Sequence, residues 1–233
     1  MKPLSECRLY TFVDAAYLHG RNPVEIARQL CDGGSDLIQL RAKTSSVDEV
    51  RRLAEQLLPV LDRAGVGLVI NDHLSVALET GAPVCHLGQE DFFEAGHSRV
   101  SDLFPSKSAA AVHSAIGLSS HAPAQAERAV AAGADYIAIG PVFATPTKPT
   151  ARAVTLDYVR WAAANVTVPW FAIGGIHFGN VDEVLAAGAR RICVVSAILN
   201  APDIAKTCQD FRRRLTSAPL SPNRLADQPR DNP

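Results

Sequence analysis

The strongest constraint on this chain is an alternation. Eight short apolar runs, each bounded by turn residues, recur along the sequence: Leu9–Val13, Asp36–Arg41, Gly67–Asp72, Val84–Gly88, Ala115–Ser120, Tyr136–Val142, Trp170–Gly175 and Arg191–Ala197. Runs of this length and boundary chemistry read as strands. Apolar residues at three- and four-residue spacing mark helices at Pro23–Cys31, Val47–Arg63, Pro123–Ala132, Leu156–Ala164, Val181–Ala187 and Pro202–Leu215. After the third and fourth strands the pattern weakens: Leu74–Thr80 is short and Arg99–Ser108 is poorly patterned. Alternation implies parallel strands joined by right-handed crossovers. Eight such units in 233 residues favour closure into an α/β (β/α)8 TIM barrel over an open doubly wound sheet.

Four segments echo one another: "DGGSDLIQLR", "LETGAPVCHLG", "AAGADYIAIG" and "AAGARRICVV". Each runs from a helix end through a capping glycine into a strand, which a repeated β/α unit requires. Residues 1–215 therefore read as one barrel domain. From Thr216 the chain turns proline-rich and poor in apolar residues, so 216–233 read as a disordered tail. Hydrophobic residues make up 47% and charged residues 20% of the chain, enough for a sizeable core. A net charge of −1 gives no basic excess for a nucleic-acid partner. Neither a secretion-type apolar leader nor a run long enough to cross a bilayer is legible, so a cytoplasmic location is expected, with no membrane partner. Cys7, Cys31, Cys85, Cys193 and Cys208 are scattered, with no Cys-x-x-Cys pair. That argues against a disulfide framework and a zinc knuckle. Cys85 and Cys193 read as small core residues.

Active sites of such barrels lie at the C-terminal ends of the strands, and the polar residues of this chain gather there. The second strand ends Gln39-Leu40-Arg41-Ala42-Lys43. Alternate residues share a face, so Gln39, Arg41 and Lys43 project together while Leu40 faces the helices. Two cations beside an amide suit a pyrophosphate next to a heterocycle; solvated charges at a strand end are an even alternative. The third strand ends Ile70-Asn71-Asp72, and the fourth leads through His86-Leu87-Gly88-Gln89-Glu90 to Asp91. Neighbouring strands lie roughly 5 Å apart, so Asp72 and Asp91 can converge on one magnesium ion, with water and phosphate filling its other positions. Either aspartate alone reads better as a helix N-cap; the pair, beside Arg41 and Lys43, reads better as a metal site. His73 and His86 lack the companions of a transition-metal site and read as packed or loop residues.

The fifth strand ends Gly117-Leu118-Ser119-Ser120-His121. Its hydroxyls and amides can donate to a phosphate, and Ser120 or His121 can equally open the next helix ahead of Pro123. The sixth strand feeds a loop with Thr145, Pro146, Thr147, Lys148 and Pro149, stiffened by proline. Such a loop suits an anion or is simply solvated. The seventh strand ends Ile173-Gly174-Gly175-Ile176, and the eighth contains Val194-Val195-Ser196-Ala197. Loops after strands seven and eight form a recurrent phosphate site in this fold, and glycine lets a phosphate approach backbone N–H groups.

Taken together, "QLRAK", "INDH", "HLGQED", "GLSSH", "GADYIAIGPVFATPTK", "AIGGI" and "VVSAI" resemble the signature strings of the thiamine-phosphate synthase family, in order, from about Leu9 to Leu215. The resemblance implies a magnesium-dependent transferase of thiamine biosynthesis. It would join 4-amino-2-methyl-5-(diphosphooxymethyl)pyrimidine to 4-methyl-5-(2-phosphoethyl)thiazole, or its carboxylated precursor, releasing pyrophosphate. It implies that the stretch Gln39, Leu40, Arg41, Ala42 and Lys43 binds the pyrimidine pyrophosphate with Asn71, Ser119 and Lys148. Arg41, Ser119 and Lys148 become the catalytic group, and Asp72 and Asp91 the Mg2+ ligands. Thr145, Pro146, Thr147, Gly175, Val195 and Ser196 take the thiazole phosphate. The expected partners are these two small molecules, with homodimerisation left open. One departure stands out: His73 occupies a position that usually carries arginine in the family. Histidine titrates near neutrality and arginine does not. A thiazole tautomerase of the same barrel, a phosphate-sensing module and an aldolase or epimerase are the rival readings. The first has no need of the aspartate pair, the second none of the full charged set, and the third calls for a base or Schiff-base lysine on a strand.

Overall fold

A computed structural model describes residues 1–104, 114–145, 147 and 152–217. Eight parallel strands close in sequence order into a barrel. They are β1 Leu9–Asp14, β2 Leu37–Arg41, β3 Gly67–Asn71, β4 Val84–Leu87, β5 Ala115–Ser120, β6 Tyr136–Ile139, β7 Trp170–Ile173 and β8 Ile192–Cys193. The expected TIM barrel is thus what forms. Around it run α1 Ala15–Leu18, α2 Pro23–Asp32, α3 Val47–Ala64, α4 Leu74–Thr80, α5 Pro123–Ala131, α6 Thr155–Asn165, α7 Val181–Ala186, α8 Ser196–Leu199 and α9 Ile204–Ser217.

Local chemistry sets these boundaries. The Asn22 side chain accepts from Val24 N at 2.8 Å with Pro23 in the first helical turn, so α2 begins there. Ser46 does the same for α3 by accepting from Glu49 N, and Gly65, with φ of 68°, ends that helix in a left-handed cap. Val50, Ala54, Leu57 and Leu61 then bury one stripe of α3. Each large side chain in that stripe contributes about 1.5–3 kcal/mol of transfer free energy.

Several expected boundaries need correction. β8 is only Ile192–Cys193, because the backbone leaves the extended region at Val195 and Ser196 opens α8 instead of continuing a strand. β6 and β7 also stop short, at Ile139 and Ile173, although their loops stay bonded: Val142 N donates to Ile173 O at 2.8 Å and Phe143 N to Gly174 O at 3.1 Å. The poorly patterned Arg99–Ser108 region holds a 3-10 turn at Val100–Leu103; Pro105 onward to residue 113 lies outside the described residues. α9 runs through Ser217, past the expected domain end at Leu215, and the rest of the expected tail, residues 218–233, lies outside the described residues. All five cysteines are free, and Cys85 and Cys193 are buried as expected. Among the described residues no helix is long and apolar enough to cross a membrane.

The barrel interior is aromatic. Tyr10 stacks on Phe12 at 5.2 Å between ring centres and meets Phe171 edge-on at 5.4 Å. Tyr136 also meets Phe171 edge-on at 5.6 Å. Tyr10 and Phe12 line the floor of a space that reaches the loops at the C-terminal ends of the strands.

Candidate active site

That space is a cavity of about 380 Å3 in the barrel mouth. Side chains alternate along each strand, and the alternation delivers polar tips to it from β1 through β5. On β2 it brings in Gln39, Arg41 and then Lys43; on β3 Asn71, followed by Asp72; beyond β4 Asp91; on β5 Ser119. From the other side come Thr145 and Thr147 of the β6 loop, Gly175 after β7, and Val195 and Ser196 after β8. The structure therefore gathers these site residues around one cavity. Leu40 and Ala42 do not line it: Leu40 on β2 and Ala42 just after it are both buried among core side chains. Pro146 and Lys148 lie outside the described residues.

Arg41 is held rather than loose. Its Nη1 donates to Asp14 Oδ2 at 2.7 Å, and Asp14 is paired with Arg41 in the β1–β2 register. Asp14 Oδ1 also accepts from Ala16 N at 3.0 Å, capping α1. Asp14 is a site residue the sequence reading passed over. Its signal was its place: an acidic residue ending a strand on the inward parity beside Arg41.

Asp72 has a left-handed backbone, with φ of 64°, and its amide donates to His86 O at 2.9 Å. This turn aims its carboxylate back over the mouth. Burial, and then the facing Asp91 carboxylate, raise the Asp72 pKa above the usual range; Lys43, whose Nζ stands 3.6 Å from Asp72 Oδ2, opposes this. Asp91 sits in a π-helical turn at Glu90–Glu94 and accepts from Gly88 N at 3.3 Å. Neither aspartate serves as the N-cap of a regular helix here: His73 occupies that position for α4 without a side-chain bond. Two facing carboxylates, with one half-exposed lysine between them and solution, form a donor set that fits a magnesium ion, which takes one or two carboxylates plus water and phosphate. Among the described residues no group of three or more metal-ligating side chains exists, so a closed transition-metal site is not what this corner offers.

Ser119 Oγ lies 2.9 Å from His86 Nε2, and its carbonyl accepts from Gln89 Nε2 at 2.5 Å. Burial lowers the His86 pKa to about 4, so the imidazole is neutral. His86 is packed, as the sequence reading had it, but packed directly beneath the cavity. Ser120 points the other way. Its Oγ donates to Ala138 O at 3.0 Å and accepts from the Tyr158 hydroxyl at 2.9 Å, which makes it part of the outer packing. The His121 ring nitrogen Nδ1 meets Gly140 O, and α5 opens from Ala122.

At the far wall, Gly174 and Gly175 have φ of 102° and 64°. A Cβ on Gly175 would come within 2.8 Å of both Ala144 O and Phe143 Cβ, so only glycine lets the β6 and β7 loops meet here. Asn180 Nδ2 donates to Gly175 O at 2.9 Å and fixes the turn. Thr147 Oγ1 lies 2.8 Å from the Tyr17 hydroxyl of α1, a contact that bridges the β1 and β6 loops across the mouth.

Cations and facing carboxylates on one side of a barrel mouth, with glycine turns and hydroxyls on the other, define a barrel enzyme that handles phosphorylated small molecules. Comparison with known proteins narrows the class. Residues 9–198 match the model of a family described as thiamine monophosphate synthase, and the chain belongs to that family. It is 45% identical over 184 residues to a thiamine-phosphate synthase of Thermus thermophilus, covering 78% of this chain and 84% of that one. A thiamine-phosphate synthase of Acidothermus cellulolyticus is 41% identical over 218 residues, covering 92% of this chain and 98% of the other. Among solved structures, a thiamine phosphate pyrophosphorylase from Pyrococcus furiosus superposes with a TM-score of 0.81 at 28% identity, covering 94% of this chain and all of that one.

Proposed function

We propose that this cavity joins the aminopyrimidine methyl pyrophosphate to the thiazole phosphate, giving thiamine phosphate and pyrophosphate. The observation that carries the reading is the two-sided cavity itself. One wall offers Arg41, Lys43 and the Asp72–Asp91 pair, and the other offers Gly175, Thr145, Thr147 and Ser196, all around about 380 Å3. A chain of this family needs two anions held apart with their organic ends meeting between them.

In this reading Gln39 and Ser119 hold the pyrimidine ring, with Asn71 beside them. Arg41 and Lys43 bind the pyrophosphate, and Lys148 is assigned to the same charge. The methylene–oxygen bond breaks with its electron pair going to pyrophosphate. The thiazole nitrogen lone pair then forms the new carbon–nitrogen bond, and no side chain needs to take up a proton. Arg41 stabilises the growing negative charge from a fixed position, because Asp14 has already oriented it. Lys43 is free to swing from Asp72 to the pyrophosphate. Bound by Asp72 and Asp91, magnesium would supply further neutralisation of the leaving group. The glycine-walled side holds the thiazole phosphate and so orients the attacking nitrogen. Water-soluble phosphorylated substrates and five free cysteines support a cytoplasmic location.

Calorimetry tests the division of the cavity. Thiazole phosphate should bind with or without magnesium, whereas the pyrimidine pyrophosphate should bind at least about tenfold tighter with it, a difference of roughly 1.4 kcal/mol. Equal magnesium dependence for both ligands would contradict the two-walled reading.

A further inference from the structure

Beneath the cavity floor, polar side chains from five strands touch in an unbroken line. Gln39 Nε2 donates to the Tyr10 hydroxyl at 2.6 Å. The Tyr10 and Tyr136 hydroxyls lie 3.2 Å apart. Tyr136 OH lies 3.0 Å from His86 Nδ1, and His86 Nε2 lies 2.9 Å from Ser119 Oγ. Both tyrosines are fully buried. Gly117 makes room for the line, because a Cβ there would collide with the Tyr136 ring. The two ends, Gln39 and Ser119, both line the cavity.

With Gln39 Nε2 as the donor to Tyr10, counting hydrogens sets the direction of the line. Tyr10 already accepts from Gln39. If it also accepted from Tyr136, its own hydrogen would find no acceptor among the described residues, and a buried unmet donor is costly. Tyr10 therefore donates to Tyr136. Tyr136 has one hydrogen and gives it to His86 Nδ1. A neutral imidazole then carries its hydrogen on Nε2 and donates to Ser119 Oγ. The Ser119 hydrogen is left for the cavity. At the other end, among the described residues nothing donates to Gln39 Oε1, so the cavity meets an acceptor there.

We propose that Tyr10, Tyr136 and His86 are positioning residues that form a one-way hydrogen-bond line, coupling an acceptor at Gln39 to a donor at Ser119 and so selecting a heteroaromatic ring with an exocyclic amine over its oxo counterpart. The ligand's place at this end of the cavity rests on the function proposed above. The direction of the line does not. Because each link has a single hydrogen, reversing one reverses all. In Tyr136→Phe the only remaining acceptor for the Tyr10 hydrogen is Gln39 Oε1. The amide then turns over and shows its NH2 to the cavity, where it matches an oxo group.

Two measurements test this together. In unliganded wild-type protein, nitrogen-15 NMR of His86 should show Nδ1 without a proton and Nε2 with one. In steady-state kinetics, Tyr136→Phe should raise KM for the aminopyrimidine pyrophosphate about tenfold. It should lower the amino-to-oxo ratio of kcat/KM at least about tenfold, and leave KM for thiazole phosphate within about twofold. Tyr10→Phe removes the neighbouring link and should lower the ratio likewise, which covers the case of a Tyr136→Phe chain that does not fold. His86→Gln keeps a donor toward Ser119 and should retain more activity than His86→Leu. A proton on Nδ1 in the wild type, or a folded Tyr136→Phe or Tyr10→Phe with an unchanged amino-to-oxo ratio, overturns the proposal. A wild-type protein with the expected tautomer that binds neither pyrimidine overturns the selectivity and identifies the subsite assignment as the failing step.

Discussion

Asp72 and Asp91 face each other across the barrel mouth, with burial and like charge both acting against ionisation of Asp72. For an acid whose folded pKa is raised, stability is full below the unfolded value and is lost as pH rises through the folded one. At neutral pH without metal, the pair therefore costs stability. Asp72→Asn should raise the metal-free Tm at pH 7 by about 2–4 °C, the shift expected for roughly 1 kcal/mol in a chain of this size. Added magnesium should raise the Tm of the wild type and not of Asp72→Asn; scanning calorimetry reads both. Asp91→Ala should lower synthase kcat/KM at least about a hundredfold, or roughly 2.7 kcal/mol of transition-state stabilisation. Thiazole phosphate affinity in that variant should stay within about twofold by titration calorimetry, and a folded variant that loses it would show that the two walls are not independent. The pairing of these aspartates was legible in the sequence because both follow the ends of neighbouring strands, Asp72 directly after β3 and Asp91 in the turn after β4. The left-handed turn at Asp72 and the role of Asp14 were not, since each depends on which residue faces which across a closed sheet.

Among the elements, the β6 and β7 loops carry the wall proposed to hold the thiazole phosphate. The β6 loop stays bonded to the end of β7 and the loop after it through the Val142–Ile173 and Phe143–Gly174 bonds, and Gly175 fits against Ala144 and Phe143 only because it lacks a Cβ. Gly175→Ala should therefore push this wall inward. Steady-state kinetics should show KM for thiazole phosphate raised at least about tenfold and KM for the pyrimidine pyrophosphate within about twofold. An even rise in both would mean the two loops shape the whole mouth. α2 and α3 follow their apolar stripes, which is why α3 could be placed at Val47–Arg63 from its periodic apolar residues, close to its observed span of Val47–Ala64. β8 could not be delimited that way. "RICVVSA" is one apolar run, and its pattern does not mark where extension ends: Val195 instead caps α8, and Leu199 N donates to Val195 O at 2.9 Å in its first turn. α1 is four residues long, too short for a periodic signal.

At the scale of the whole molecule, barrel closure is thin on one side. β1 and β8 pair over only Leu9–Ile192 and Tyr10–Cys193. The bottom of the barrel is fastened instead by Asp36, expected to begin β2 but found just before it. Its carboxylate accepts from Arg8 N at 2.6 Å and Leu9 N at 3.0 Å, and pairs with Lys2 at 2.6 Å and with Arg212 of α9 at 2.5 Å. Burial alone would raise its pKa, but Arg212, Lys2 and the two amides outweigh that and hold it below the usual carboxylate value. A depressed folded pKa gives stability that is full above the unfolded value and is lost as pH falls through the folded one. Asp36→Asn should cost about 3 kcal/mol at pH 7, as breaking a buried ion pair does. In urea unfolding the gap should be full above about pH 5 and narrow as acid takes the pH below the unfolded value of about 3.9. A gap that widens in acid would contradict the assignment. The barrel was legible because eight alternations in one chain leave few other closures; this fastening was not, because it joins residues from both ends of the described chain.

The most direct test of the whole account is a coupled assay on the purified full-length protein. It would receive the aminopyrimidine methyl pyrophosphate, thiazole phosphate and magnesium, with pyrophosphate and thiamine phosphate followed together. The account predicts that both products form in equal amounts, that magnesium is required, and that removing it with a chelator stops both. A folded protein that forms neither product, or releases pyrophosphate without thiamine phosphate, would contradict the condensation assigned to this cavity.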